Sequence, residues 1–162
     1  MIFKRHIKLL VIFIIGTFLI DQISKILIVN FLTPLDPPVV NVISSLLRFK
    51  LTYNPYGVFS ISLGPNILYY IFSIIGIFIL IYIGLSLKDK TSVVVFGIII
   101  GGALGNIFDR LRLDYVIDFI DMGIGNLRWF TYNFADACIT VGAIFLLMRG
   151  LFSKKKKDTE TT

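Results

Sequence analysis

Four stretches of nearly uninterrupted apolar sequence, residues 7–29, 67–87, 93–108 and 134–152, dominate this chain. Crossing a hydrocarbon core of roughly 30 Å takes about 20 helical residues, and inside it every backbone amide and carbonyl must be paired within the structure itself. Only helices or a closed barrel satisfy that requirement, and runs of this length read as helices. With 56% of its 162 residues hydrophobic and 16% charged, and a mean hydropathy of +0.87, the chain is a polytopic membrane protein by composition. The expected fold is membrane all-α: four transmembrane helices with a small extracytoplasmic β-sheet or hairpin and a periplasmic loop. Residues 1–153 are expected to form one domain, and 154–162 a basic, solvated cytoplasmic tail without fixed structure.

The net charge of +6 does not point to nucleic acid, because the excess cations flank the apolar runs instead of forming a basic face. Lys4, Arg5 and Lys8 precede the first run, Lys88 and Lys90 separate the second from the third, and the lysines at 154–157 follow the fourth. By the positive-inside rule these three regions are cytoplasmic, which puts both termini inside and residues 33–66 and 109–133 outside. Arg48, Lys50, Arg110, Arg112 and Arg128 fall on the outer side, where nearby acids can pair with them. The first run has no small-x-small cleavage site, and apolar sequence resumes after Asp21, so it reads as a retained span and not as a secretory signal.

Between the first two spans, Leu47, Phe49, Leu51 and Tyr53 alternate with Arg48, Lys50 and Thr52, the period of a strand with one apolar face. Asn54-Pro55-Tyr56-Gly57 supplies a turn, and Phe59, Ile61 and Leu63 suggest a returning strand.

The polar residues that interrupt this apolar background are the candidates for chemistry, since an ionisable group at bilayer depth is costly and marks function by default. Asp21 and Lys25 lie four apart on one helix face and can pair, which suits an ion pair that orients the helix. Ser24 and Lys25 diverge by about 100° on a helix and do not make a Ser–Lys dyad. Gly101 and Gly105 have the spacing that lets another helix approach closely. Asn106, Asp109 and Arg110 follow at the outer boundary, where Asp109 can pair with an arginine or accept from loop amides. Asp118 sits in Tyr115-Val116-Ile117-Asp118-Phe119-Ile120-Asp121, an apolar setting that raises an uncompensated carboxyl. Asn133 fits the cap of the last helix with Asp136 in its first turn, a role that by itself would explain both.

Asp118 and Asp136 are expected at the same depth on the same side. Two carboxylates held close share a proton, and such a pair activates water with one member while protonating a leaving group with the other. Peptide hydrolysis by that route needs no metal or cofactor. His6, the single histidine, lies in the basic N-terminal segment, so no His-dependent triad or His-ligated zinc site forms on the outer side. Cys138, the single cysteine, reads as a small buried apolar residue. Intramembrane acids also serve proton-coupled transporters, the alternative function class, which predicts acids near the midplane and related halves.

Taken together, Asp21-Gln22-x-x-Lys25, Asn54, Gly105-Asn106-x-x-Asp109-Arg110, Val116-x-Asp118-Phe119-x-Asp121 and Asn133-x-Ala135-Asp136 resemble the motifs of the lipoprotein signal peptidases (signal peptidase II), small four-span membrane aspartyl peptidases. The resemblance implies removal of the signal peptide from diacylglyceryl-modified prolipoproteins, just before the lipid-bearing cysteine. It implies residence in the bacterial cytoplasmic (inner) membrane, with membrane lipid and the prolipoprotein as partners and no nucleic acid. It maps the catalytic pair onto Asp118 and Asp136, site-lining or substrate-contacting positions onto Asn54, Asn106, Arg110 and Asn133, and structural positions onto Asp21 and Asp109. The family's outer Asn-x-Gly is replaced here by Asn54-Pro55-Tyr56-Gly57.

Overall fold

The computed structural model describes residues 6–55 and 66–160, with residues 66–70, 72 and 153–160 described by backbone alone. Its elements run α1 (Ile7–Leu32), β1 (Val39–Ile43), β2 (Leu47–Asn54), α2 (Asn66–Ser86), α3 (Lys90–Leu113), β3 (Val116–Ile124), β4 (Leu127–Arg128) and α4 (Phe134–Glu160). Ile7–Leu32, Lys90–Leu113 and Phe134–Phe152 are each long and apolar enough to cross a membrane, and α2 contributes a shorter apolar stretch, Ser73–Ser86. Their outward faces carry large apolar side chains such as Ile12, Leu27, Phe78, Tyr82, Val141 and Leu147. An apolar surface of that extent suits lipid and not water.

α3 is the hub. Half of its apolar window is buried inside the protein, against 22% for α1 and 11% for α4, and it packs on α1, α2 and α4. The spacing of Gly101 and Gly105 explains how closely α1 approaches. A Cβ on Gly101 would collide with the Ile14 carbonyl and Thr17, and one on Gly105 with the Asp21 carboxylate. α3 begins with Asp89 accepting from Ser92 N at 2.9 Å and ends at Asp114 in the left-handed conformation, whose N–H donates to the Arg110 carbonyl, so an amide of its first turn and a carbonyl of its last are satisfied. Arg149 of α4 pairs with Asp89 at 2.7 Å, fastening α4 to the start of α3.

The strands gather where α1 and α3 end and α2 and α4 begin, forming an antiparallel sheet in the order β1-β2-β3-β4. β2 is the strand expected from its alternation. Its described partners, however, are β1, reached through the Ser44-Ser45-Leu46 turn, and β3, which comes from the distant segment after α3. The returning strand expected at Phe59, Ile61 and Leu63 lies outside the described residues. The 109–133 segment, expected as a loop, supplies two of the four described strands instead. Alternating polarity marks a strand without naming its neighbour, and the neighbour here is set by the α3–α4 crossover. Phe49 and Phe119 meet edge to face at 6.1 Å and pack with Ile28 and Leu32 at the end of α1, which seats the sheet on the helices.

Two irregularities aim the chain at one place. The β2–β3 register runs Arg48 opposite Asp121 and Phe49 opposite Ile120, then shifts by one residue so that Thr52 faces Asp118 and Asn54 faces Val116. A bulge of this kind re-aims side chains. On the other edge of β3, Tyr132 bridges Ile120, with its carbonyl accepting from Phe119 N at 3.0 Å and Ile120 N at 2.7 Å. The first turn of α4 is thereby pinned against β3. Beyond the spans, the α4 backbone stays helical to Glu160, through the lysine run expected to be an unstructured tail; continuing an established helix needs no new nucleus.

Candidate active site

Asp21 and Lys25 pair as their i, i+4 spacing predicts, at 2.8 Å, and both are buried. Lys25 also reaches Asp109 at 2.9 Å, so the partner of Asp109 is a lysine on α1 and not a neighbouring arginine. Gln22, quoted in the sequence motif without a role, donates to both acids at 3.1 Å. Asp21 further accepts from Ala135 N on α4 at 3.0 Å, and Asp109 accepts from Ile117 N at 3.3 Å, the loop-amide contact expected of it. Buried charges are tolerable only when paired and fully hydrogen-bonded, and this cluster meets that condition while joining α1, α3, α4 and the start of β3. Ser24 bonds its own helix through the Asp21 carbonyl at 2.7 Å, away from any dyad with Lys25.

Asn106 links the ion cluster to the second pair of acids. Its Oδ1 accepts from Lys25 at 3.1 Å and from Asn133 Nδ2 at 3.0 Å, and its Nδ2 donates to Asp136 Oδ1 at 2.8 Å. Asn133 and Asp136 form the expected cap at the start of α4: Asp136 N donates to Asn133 Oδ1 at 3.0 Å and Asn133 N to Asp136 Oδ2 at 3.3 Å. Asn133 Nδ2 also donates to Asp118 Oδ1 at 2.8 Å, and Asn54 Nδ2 to Asp118 Oδ2 at 3.0 Å. Asp118 and Asp136 are thus held by three asparagines from β2, α3 and the β4–α4 segment.

Asp118 and Asp136 open onto one cleft of about 1100 Å³, which Asn54, Asn106 and Arg110 also line. Burial pushes the Asp118 carboxyl up to about 7, the nearby Asp136 carboxylate adds to the rise, and the Asn54 and Asn133 hydrogen bonds oppose it. That is the apolar-setting effect expected of Asp118. Away from these acids the cleft is apolar, bounded by Ile77 and Leu80 of α2, Ile107 of α3 and Ile139 of α4, and by Trp129 at the sheet end. Among the described residues no group of three or more His, Cys, Asp or Glu is arranged to hold a metal ion.

Asp121 has a different task from Asp118. Arg48 donates to it through Nε at 2.8 Å and Arg128 through Nε at 3.0 Å, and Arg128 also donates to the Ser45 carbonyl. Burial raises the Asp121 carboxyl, but the hydrogen bonds and charge of Arg48 and Arg128 outweigh it and hold the group below its ordinary value. Two of the outer-side arginines are thus spent on the sheet, as acid pairing predicts. The role of Gln22 was signalled by its place inside the Asp21-Gln22-x-x-Lys25 motif, whereas nothing in the sequence signalled the Ala135 amide.

A family model described as signal peptidase (SPase) II matches residues 13–152. Similar curated proteins, each named lipoprotein signal peptidase, come from Francisella tularensis subsp. novicida, 38% identical over 70% of this chain and 75% of the relative, and from Thermodesulfovibrio yellowstonii, 36% identical over 82% and 88%. A third, from Anaplasma marginale, is 32% identical over 90% and 86%. Among solved structures, one described as a bacterial membrane enzyme superposes with a TM-score of 0.79 at 26% identity, covering 93% of this chain and 97% of the other.

Proposed function

Because the chain belongs to the signal peptidase II family of aspartic-type peptidases, we propose that it removes the signal peptide from diacylglyceryl-modified prolipoproteins, cutting just before the lipidated cysteine, with Asp118 and Asp136 as the catalytic pair. The observation that carries this reading is the convergence of those two carboxyls on one cleft, each joined by hydrogen bonds to Asn133.

In this scheme Asp136 is the ionised member and takes a proton from water. The water oxygen attacks the scissile carbonyl, and Asp118 supports the developing oxyanion with its proton and then gives that proton to the leaving amine. The raised carboxyl of Asp118 fits the proton-holding role. Asn106 and Asn133 fix the pair, Asn54 and Arg110 face the substrate, and Asp21, Lys25 and Asp109 keep the helices in register beneath it. The apolar wall from α2, α3 and α4 suits the hydrophobic segment of a signal peptide, and Trp129 suits a lipid interface. All four helices cross the inner membrane, both termini are cytoplasmic, and the sheet and cleft lie on the outer side, where a diacylglyceryl group anchors the substrate.

The test is to incubate the purified protein in detergent with a diacylglyceryl-modified prolipoprotein and follow the mass shift. Cleavage by the wild type, unaffected by chelator and reduced roughly 10²–10⁴-fold by either Asp118→Asn or Asp136→Asn, is the expected result. Wild-type rates in both variants would remove the pair from the mechanism, and a folded wild type that leaves this substrate intact would remove the substrate assignment.

A further inference from the structure

Thr52 carries a hydroxyl whose Oγ1 is shut off from solvent without a hydrogen-bond partner among the described residues. Burying such a group unpaired is unfavourable, and valine would fill the same volume without that disadvantage. The position of Thr52 suggests what the hydroxyl is for. It stands directly opposite Asp118 in the β2–β3 register, and directly opposed residues project to the same face with Cβ atoms about 4.5–5.5 Å apart. It is also two residues before Asn54, on the same face of β2, and Asn54 donates to Asp118 Oδ2 at 3.0 Å.

Asn54 lines the cleft, and its amide carries two N–H donors, so it can serve a bound peptide carbonyl while still holding Asp118. Asp118 Oδ2 keeps that hydrogen bond, and when Asp118 gives up its proton and becomes a carboxylate the same oxygen can accept a second. We propose that Thr52 is a positioning residue for Asp118, its hydroxyl turning about χ1 to donate to Oδ2 beside Asn54 when Asp118 becomes a carboxylate. The O–H bond of Thr52 stays intact throughout; only its hydrogen bond changes. This rests on the reading of Asp118 as the proton-donating member of the pair.

The test uses the full-length protein and its Thr52→Val, Thr52→Ser and Asp118→Asn variants, with kcat and KM for a diacylglyceryl-modified prolipoprotein and thermal midpoints in the same detergent. The expected result is a fall in kcat of about tenfold or more in Thr52→Val, in line with a hydrogen bond to a charged group, at unchanged KM and with a thermal midpoint equal to or above that of the wild type. Thr52→Ser, which restores the donor, returns to within about twofold of wild type. Wild-type kinetics in Thr52→Val overturn the proposal, as does an equal loss in Thr52→Ser or a loss accompanied by a lowered midpoint, which marks structural damage. Asp118→Asn separates the two levels: inactivity there alongside a fully active Thr52→Val rejects the role of Thr52 alone, whereas wild-type activity in Asp118→Asn rejects both.

Discussion

Asn133 and Asp136 cap each other at the start of α4, each backbone amide donating to the other's side chain at 3.3 and 3.0 Å. The reciprocal cap uses the side-chain oxygen of Asn133 and leaves its Nδ2 for Asp118 and Asn106. One residue therefore both starts a helix and sets the relative position of two carboxyls. Because the two uses fall on different atoms, substitution can separate them.

Asn133→Ser keeps a cap acceptor for Asp136 N and removes the Nδ2 donors. Its thermal stability is expected to change by about 1 kcal/mol or less, while kcat falls roughly ten- to a hundredfold, the worth of a hydrogen bond to a charged group. Paired thermal melts and prolipoprotein kinetics check this; a variant that loses stability and activity together would tie Asn133 to folding alone.

Lys25 is the single described cation that bonds to both Asp21 and Asp109. Lys25→Met preserves the bulk and leaves two buried carboxyls facing each other, so a loss of roughly 3–5 kcal/mol is expected. Adding Asp109→Asn removes one uncompensated charge and should recover part of that loss. Denaturation of the single and double variants in detergent decides it, and a double variant less stable than the single would contradict the ion-cluster account.

Gly105 leaves room on α3 for the Asp21 carboxylate. In Gly105→Ala the added methyl forces α1 and α3 apart or displaces Asp21 from Lys25, with an expected loss of about 1–3 kcal/mol. Gly16, whose Cβ would meet nothing, is the control, and Gly16→Ala should be neutral or slightly stabilising. Thermal midpoints of the two variants give the comparison.

Asp118, with its carboxyl at about 7, sets the sign of the pH dependence. In the proposed mechanism Asp118 holds the proton and works when protonated, so kcat/KM should fall as pH rises through that value, approaching tenfold per unit on the alkaline limb. The pair titrates together, so the limb belongs to both acids. A rate profile from about pH 5 to 9 measures it, and activity still rising above neutrality would assign the proton elsewhere.

Much of this arrangement was legible in the chain because it is local. The apolar runs dictate helices at bilayer thickness, the i, i+4 spacing of Asp21 and Lys25 dictates their pairing, the Gly101 and Gly105 spacing permits close approach, and Asn133 three residues before Asp136 dictates the cap. Each depends on one element's own geometry. The tertiary structure decided what depends on contacts between distant segments. It paired β2 with β1 and β3, made Lys25 and not an arginine the partner of Asp109, and brought Asn54, Asn106 and Asn133 from three elements onto Asp118 and Asp136. The β2 bulge shows why no periodic reading could supply this. Continuing the Arg48–Asp121 register would put Leu51 opposite Asp118, whereas the one-residue shift puts Thr52 there and brings Asn54 to the same face. Strand periodicity alternates faces, so a single extra residue exchanges them, and where that residue is absorbed is settled by the packing of the sheet on the helices.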